Sequence, residues 1–284
     1  MLGSGGARGH AHIGVIRAID ERNLAIRNIA GCSMGALIGG IYASGELDTY
    51  TDWANRLEKR DVVRLLDFSF TRHSLFKGER IFEVLKELVG DRRIEELGCG
   101  FTAVATALDE QREVWLKEGP LFQAIRASSA VPGVFSPVEV SGRLLVDGGL
   151  VNPIPIAPTL NDHTDLTIAV NLNSMSAKYT RPEKHRKREE ESASVYREKI
   201  SRFISDLLKN DEQEESPRDA AEMLTLSIDV MQGAIARLKL AAYSPDRVVE
   251  IPRRACTFFE FDRAEEMADL GYERTCKALD DLGL

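Results

Sequence analysis

The chain has 284 residues, the length of one large α/β domain or of one domain plus an appendage, and its 43% apolar content is enough for a substantial core. A formal net charge of −8 argues against nucleic acid as a main partner, because phosphate binding needs a basic surface. No apolar run approaches the ~20 residues of a spanning helix, no leader pattern opens the chain, and the four scattered cysteines form no CxxC pair.

A reduced, cytoplasmic setting is therefore expected, with peripheral contact at the inner membrane face still open.

Taken in order, Gly3–Gly9 is a glycine-rich loop, His12–Arg22 a helix, Arg27–Ala30 a strand and Met34–Ser44 a helix ended by Gly45. Leu47–Lys59 and Gly78–Val89 also carry helical apolar spacing, and the aromatic-rich Asp67–Phe76 between them reads as a loop packed on or over a site. Phe101–Ala107 and Glu113–Leu116 read as a strand pair, followed by a helix near Leu121–Ser128 and a bend at Val131-Pro132-Gly133. Val138–Val140 and Leu144–Val146 flank a hairpin turn at Ser141-Gly142-Arg143, with Asp147 ending the hairpin. Asp165–Asn171 and Arg247–Ile251 are further strands, and Arg263–Leu282 closes the chain as a helix.

The stretch from Lys178 to Asp219 is dense in Lys, Arg and Glu, with a weakly amphipathic core around Val195–Leu208. It reads as a charged, solvated insertion into a single domain spanning 1–284. The sharper alternative is a lid or membrane-facing helix presenting Phe203, Ile204, Leu207 and Leu208.

Three short motifs carry chemistry. Gly31-Cys32-Ser33-Met34-Gly35 lies between a strand and a helix, the sequence form of a nucleophile elbow. Gly31 and Gly35 flank the strained turn because a β-carbon there would strike the neighbouring strand or helix. Ser33 is thus the nucleophile candidate, its hydroxyl at a helix N-terminus that favours developing negative charge. Gly5, Gly6, Ala7 and Arg8 can offer backbone N–H groups to an oxyanion, and Gly9 closes that loop.

The base has two readings. A Ser, Asp, His chain order would draw on His163 or His185, downstream of Asp147. Alternatively Asp147 acts directly, with Gly148 and Gly149 letting its carboxylate approach Ser33; partial burial would then have to raise its pKa. Such a dyad is a slow enzyme.

The blocks Gly5-Gly6-Ala7-Arg8-Gly9, Gly31-Cys32-Ser33-Met34-Gly35-Ala36 and Asp147-Gly148-Gly149 together resemble the patatin-like phospholipase family in its bacterial form, over about residues 1–173. The resemblance implies a three-layer α/β/α sandwich with a mainly parallel central sheet. It also implies a Ser33–Asp147 dyad, an oxyanion loop at Gly5–Arg8, and hydrolysis of lipid acyl esters through an acyl-serine, with no metal or cofactor.

Two departures stand out: Ser4 occupies the place of the loop's first glycine, and only Met1-Leu2 precede the loop where the family carries an apolar strand. Loss of that strand would remove a sheet member and an anchor of the loop.

Other readings are blander. Arg8 is an exposed structural arginine, or else holds the loop or an anionic head group; His12 is a packed histidine; Trp53, Phe68, Phe70 and Phe76 are core aromatics or line an acyl groove. Competing functions are a catalytically weak relative that binds lipid or a protein partner, and a dinucleotide-binding protein read through its glycines. Oligomeric state is left open.

Overall fold

The computed structural model describes residues 1–65, 67, 74–175, 178–182 and 220–284. A 3-10 turn at Gly6–His10 leads into α1 (Ala11–Glu21), β1 (Asn28–Cys32), α2 (Met34–Ala43), α3 (Leu47–Asn55) and α4 (Lys59–Leu65). Next come β2 (Ser74–Phe76), α5 (Glu79–Val89), β3 (Gly100–Ala107), β4 (Arg112–Leu116) and α6 (Leu121–Ser128). The chain continues through β5 (Gly133–Phe135), β6 (Val138–Val140), β7 (Arg143–Asp147), β8 (Ile168–Ser174), α7 (Ala220–Tyr243), β9 (Arg247–Pro252) and α8 (Ala264–Asp280).

The sheet registers place the chemistry. β3 has two edges, and β4 pairs antiparallel with its residues 103–107. β1 pairs parallel with 100–104 and β7 antiparallel with 105–107. Both overlap β4 along β3, so β1 and β7 share the opposite edge and run towards each other. Their C-terminal ends meet at consecutive positions, Cys32 beside Val104 and Asp147 beside Ala105.

The parallel part of the sheet continues beyond β1. Leu2 bridges in parallel to Gly31 on one side and Val170 on the other. Its N–H donates to Ala30 O (2.8 Å), its carbonyl accepts from Cys32 N–H (3.1 Å), and Val170 N–H donates to Met1 O (2.9 Å). β8 pairs in parallel with β9 beyond. Met1–Gly3 thus occupy the strand position whose loss was expected, and Ser4 N–H to Pro153 O (2.9 Å) anchors the loop that follows. Antiparallel pairing is confined to β4, β7 and β6 at the other side of the sheet.

Helices cover both faces, as the α/β/α expectation requires. Alternation along β8 divides them: Val170 and Leu172 join the large core built with α1, α2, α6 and α8, while Ala169 joins Ile154, Ile156 and Ala236 of α7. The β6–β7 turn has Ser141 at φ 51° and Gly142 at φ 74°, the left-handed pair that a two-residue hairpin demands.

The stretch expected as a loop over Asp67–Phe76 ends in β2, with residues 68–73 outside the described residues, and two further expected elements differ in their bounds. Leu47–Lys59 splits into α3 and α4, because Asp61 Oδ2 accepts from Glu58 N–H (3.1 Å) and starts a second helix there. The strand expected from Asp165 begins at Ile168, since Thr167 N–H and hydroxyl both bind the Asp246 carboxylate (2.8 and 2.7 Å). Most of the charged stretch, residues 183–219, lies outside the described residues. Its start packs on α8, where Tyr179 hydroxyl and Arg181 (3.1 Å) both donate to Glu266.

The α1–α8 contact allows no side chain at its crossing. A β-carbon on Gly14 would lie 1.8 Å from Ala268 O, and one on Gly271 2.0 Å from Ala11 O. Because backbone must move to admit it, Gly271→Ala is expected to destabilise by about 3 kcal/mol. Urea unfolding checks this as a lowered midpoint at constant slope; an unchanged midpoint would refute the close approach.

Candidate active site

Ser33 directly follows β1 and begins α2 with φ 55° and ψ −124°, a backbone region that costs free energy for any residue but glycine. The surroundings enforce it. Ser33 N–H donates to Ser128 Oγ (3.0 Å), and Ser128 Oγ in turn donates to Val104 O (2.6 Å) on β3. The flanking glycines are sterically required: a β-carbon on Gly31 would lie 2.4 Å from Gly35 O, and one on Gly35 2.1 Å from Leu2 O.

Asp147, at the end of β7, is 2% exposed. Its N–H donates to Ala130 O (2.9 Å). Oδ1 accepts from Gly149 N–H (2.7 Å) and from the Cys32 thiol (3.7 Å), while Oδ2 has no hydrogen-bond partner. Burial pushes the carboxyl pKa up to about 6, and the Ser33 hydroxyl, Gly149 N–H and Cys32 thiol restrain the rise. No hydrogen bond is closed between the Ser33 and Asp147 side chains.

Ser33 and Asp147 line one small cavity with Ser4, Gly5, Val131, Pro132, Val134, Phe258 and three residues of α7. Gly148 and Gly149 follow Asp147 as a buried 3-10 turn against β3. In the glycine loop, Ala7 N–H is already bound to Phe258 O (2.9 Å), and Arg8 N–H falls inside the i→i+3 bonding of the turn Gly6–His10. Among the described residues, no acceptor satisfies Gly5 N–H outside the turn. Gly6 N–H opens the turn, where first-turn donors have no internal acceptor. Gly9 packs against Met34 of the elbow.

Arg8 is 3% exposed, not a surface residue. Its guanidinium donates to Cys256 O (3.1 Å), Arg253 O (3.4 Å) and Asn173 Oδ1 (3.1 Å), and lies 3.9 Å from Asp229. Those acceptors offset its burial and tie the loop to the ends of β8 and β9 and to α7. It points to protein acceptors rather than to a head group.

The histidines offer no base among the described residues. Burial pushes His10 and His12 down to about 4, so both are neutral near pH 7. His10 Nδ1 and Nε2 are paired with Ala7 O (3.2 Å) and Tyr50 hydroxyl (3.0 Å), and His12 Nε2 with Gly3 O (2.8 Å). His163 is exposed and lines no cavity with Ser33. His73 and His185 lie outside the described residues, as do Phe68 and Phe70.

A second cavity, of about 100 Å³ and mostly apolar, also opens on Ser33; Trp53, Val62, Ile81, Phe82, Leu85 and Phe261 line it. Trp53 belongs to this groove, whereas Phe76 packs at a tilt against Phe135, which borders it.

Sequence reasoning missed Cys32 as a donor to Asp147, Ser128 as the support of the elbow, and α7 as a wall of the site. Only α7 carries a readable signal, an apolar helical run in which Asp229 and Gln232 fall on one face three positions apart.

The chain matches the patatin-like phospholipase family model over residues 1–160, and it belongs to that family, whose members act hydrolytically on lipids. It is 38% identical to an NTE family protein of Mycobacterium tuberculosis, over 98% of this chain and 90% of that one. Neuropathy target esterase sws of Drosophila melanogaster is 31% identical over 61% of this chain and 13% of its own. Among solved structures, VipD from Legionella pneumophila shares the fold, with a TM-score of 0.52 at 15% identity, covering 99% of this chain and 66% of VipD.

The raised pKa has a thermodynamic consequence. A carboxyl lifted from 3.8 to about 6 costs nothing while both states are protonated, below pH 4; the cost grows up to pH 6 and is full above it. Asp147→Asn removes that cost, so the variant is expected to be more stable than wild type at pH 8 by up to about 3 kcal/mol. The gain should fade towards pH 4. Paired thermal melts at the two pH values measure it, and a gain equal at both would disprove the shift.

Proposed function

We propose that the protein is a serine-dependent lipid acyl hydrolase in which Ser33 is the nucleophile and Asp147 the general base. The observation that carries this reading is the convergence of Ser33 and a buried, unpartnered Asp147 Oδ2 on one cavity. Oδ1 is committed to Gly149 and Cys32, so Oδ2 is the oxygen free to receive a proton.

In this mechanism the Ser33 hydroxyl gives its proton to Asp147 Oδ2 as Oγ attacks the ester carbonyl. The tetrahedral oxyanion is held by Gly5 and Gly6 N–H; the loop's other two expected donors, Ala7 and Arg8, are spent within the protein and position it instead. Protonated Asp147 then returns the proton to the departing alkoxide, leaving an acyl-serine. Water, deprotonated by Asp147, attacks that ester; Ser33 recovers its proton and the fatty acid leaves.

The mainly apolar groove on the other side of Ser33 suits the acyl chain. A lipid ester is accordingly the substrate class, met at or near a membrane surface. No helix among the described residues is long and apolar enough to cross a membrane. The whole chain, 1–284, is read as one hydrolase domain.

A fluorophosphonate probe should label wild type and leave Ser33→Ala unlabelled. Asp147→Asn should lower kcat at least ~10³-fold, on the scale seen when a catalytic group is removed from a hydrolase. Retained activity in Asp147→Asn would return the base to a histidine, and a folded but unlabelled wild type would favour a lipid-binding, non-catalytic protein.

Only the deprotonated carboxylate accepts the serine proton. Log kcat/KM should therefore rise with pH, bend near 6 and stay flat above. A profile without that inflection would remove Asp147 from the base role.

A further inference from the structure

An ester has two sides, and the two cavities at Ser33 divide them unequally. The apolar groove holds about 100 Å³, whereas the cavity shared with Asp147 holds about 20 Å³, room for roughly one water. If the chain of the substrate lies in the groove, its glycerol-based leaving group must enter the smaller space. The roof of that space is Ile228, Asp229 and Gln232 of α7. With α7 in place, that space is narrow for a glycerol-based leaving group.

The inward face of α7 is held by polar contacts to the oxyanion loop. Ser4 Oγ donates to Gln232 Oε1 (3.3 Å), and Asp229 meets both Arg8 (3.9 Å) and Arg253 (3.1 Å). Ser4, the residue standing in place of the loop's first glycine, thereby supplies one of these contacts.

The outward face differs. At 100° per residue, Val230, Met231, Ala234, Leu238 and Ala241 fall on one arc opposite Asp229 and Gln232. Val230 is 61% exposed, Met231 49% and Leu238 71%. Arg237 is the one charged residue on that arc between 227 and 242, which has no acid although the chain carries net −8. A soluble surface helix normally turns its apolar side inward.

We propose that the outward face of α7 is a docking surface for a lipid bilayer or micelle, and that docking draws α7 away from Ser33 and Asp147. This rests on the lipid-ester reading above. Lipid is the occupant because the helix that presents the apolar face also roofs a site for a lipid ester, so surface and substrate arrive together. An acid-free apolar arc on an acidic protein favours a zwitterionic surface over an anionic one. Each large apolar side chain buried in lipid favours the docked state, and the polar contacts of Ser4, Arg8 and Arg253 oppose it.

The test uses vesicles of ether-linked phosphatidylcholine, which cannot be hydrolysed, and the double variant Met231→Asp/Leu238→Asp. Neither residue lines the dyad cavity, and fluorophosphonate labelling and melting temperature should match wild type. In flotation, wild type binds the vesicles and the variant binds at least ~10-fold less, on the scale of losing one buried apolar side chain. Adding the vesicles should raise wild-type turnover of a short-chain, water-soluble ester at least about 5-fold. The variant's turnover should stay at the vesicle-free level.

Equal vesicle binding by both proteins, or binding without stimulation, overturns the proposal while leaving the hydrolase reading intact. Absence of Ser33-dependent labelling in wild type defeats the hydrolase reading instead, whatever the vesicles do.

Discussion

The site depends on one arrangement, two strands meeting end to end along a single edge of β3. β1 arrives in parallel and stops beside Val104; β7 arrives antiparallel and stops beside Ala105. Adjacent strand positions are ~3.3 Å apart, so chain segments more than a hundred residues apart deliver Ser33 and Asp147 to neighbouring points. A one-residue slip of either strand would send its terminal side chain to the other face of the sheet.

Burial then does two different things to the charged groups around that junction. Asp147 has few donors for its depth, and its carboxyl becomes a stronger base than an exposed aspartate. Arg8 is equally buried, but carbonyls, an amide oxygen and Asp229 surround its guanidinium, so it ties the glycine loop to the rest of the molecule. The contrast follows from the number of partners supplied to each charge. Ser33 adds strain to the same spot, with its backbone held in an uncommon region by Ser128 and by the packing of Gly31 and Gly35.

Much of this was legible beforehand. Helices such as Ala11–Glu21 and strands such as Gly100–Ala107 follow apolar periodicity, and the elbow glycines announce a turn that admits no side chain. Less legible were features whose cause lies far along the chain. Two backbone residues, Met1 and Leu2, complete the sheet because β1 and β8 each present an open edge, a circumstance no local pattern encodes. Cys32 reads as the variable position of a motif, yet its thiol reaches Asp147. Ala7 and Arg8 look like free donors until Phe258 O and the 3-10 turn claim their N–H groups.

By itself, the sequence determined what short-range physics controls: the α/β class, the sharp turn at Ser33, the hairpin turn at Ser141-Gly142, and the family. Tertiary structure alone decided which loop amides remain available and which helix walls the cavity shared by Ser33 and Asp147. It also decided that Asp147 Oδ2 stands without a partner. Those outcomes depend on which groups at distant positions share a hydrogen bond or a water-free space. That allocation exists only once the strands have taken their register.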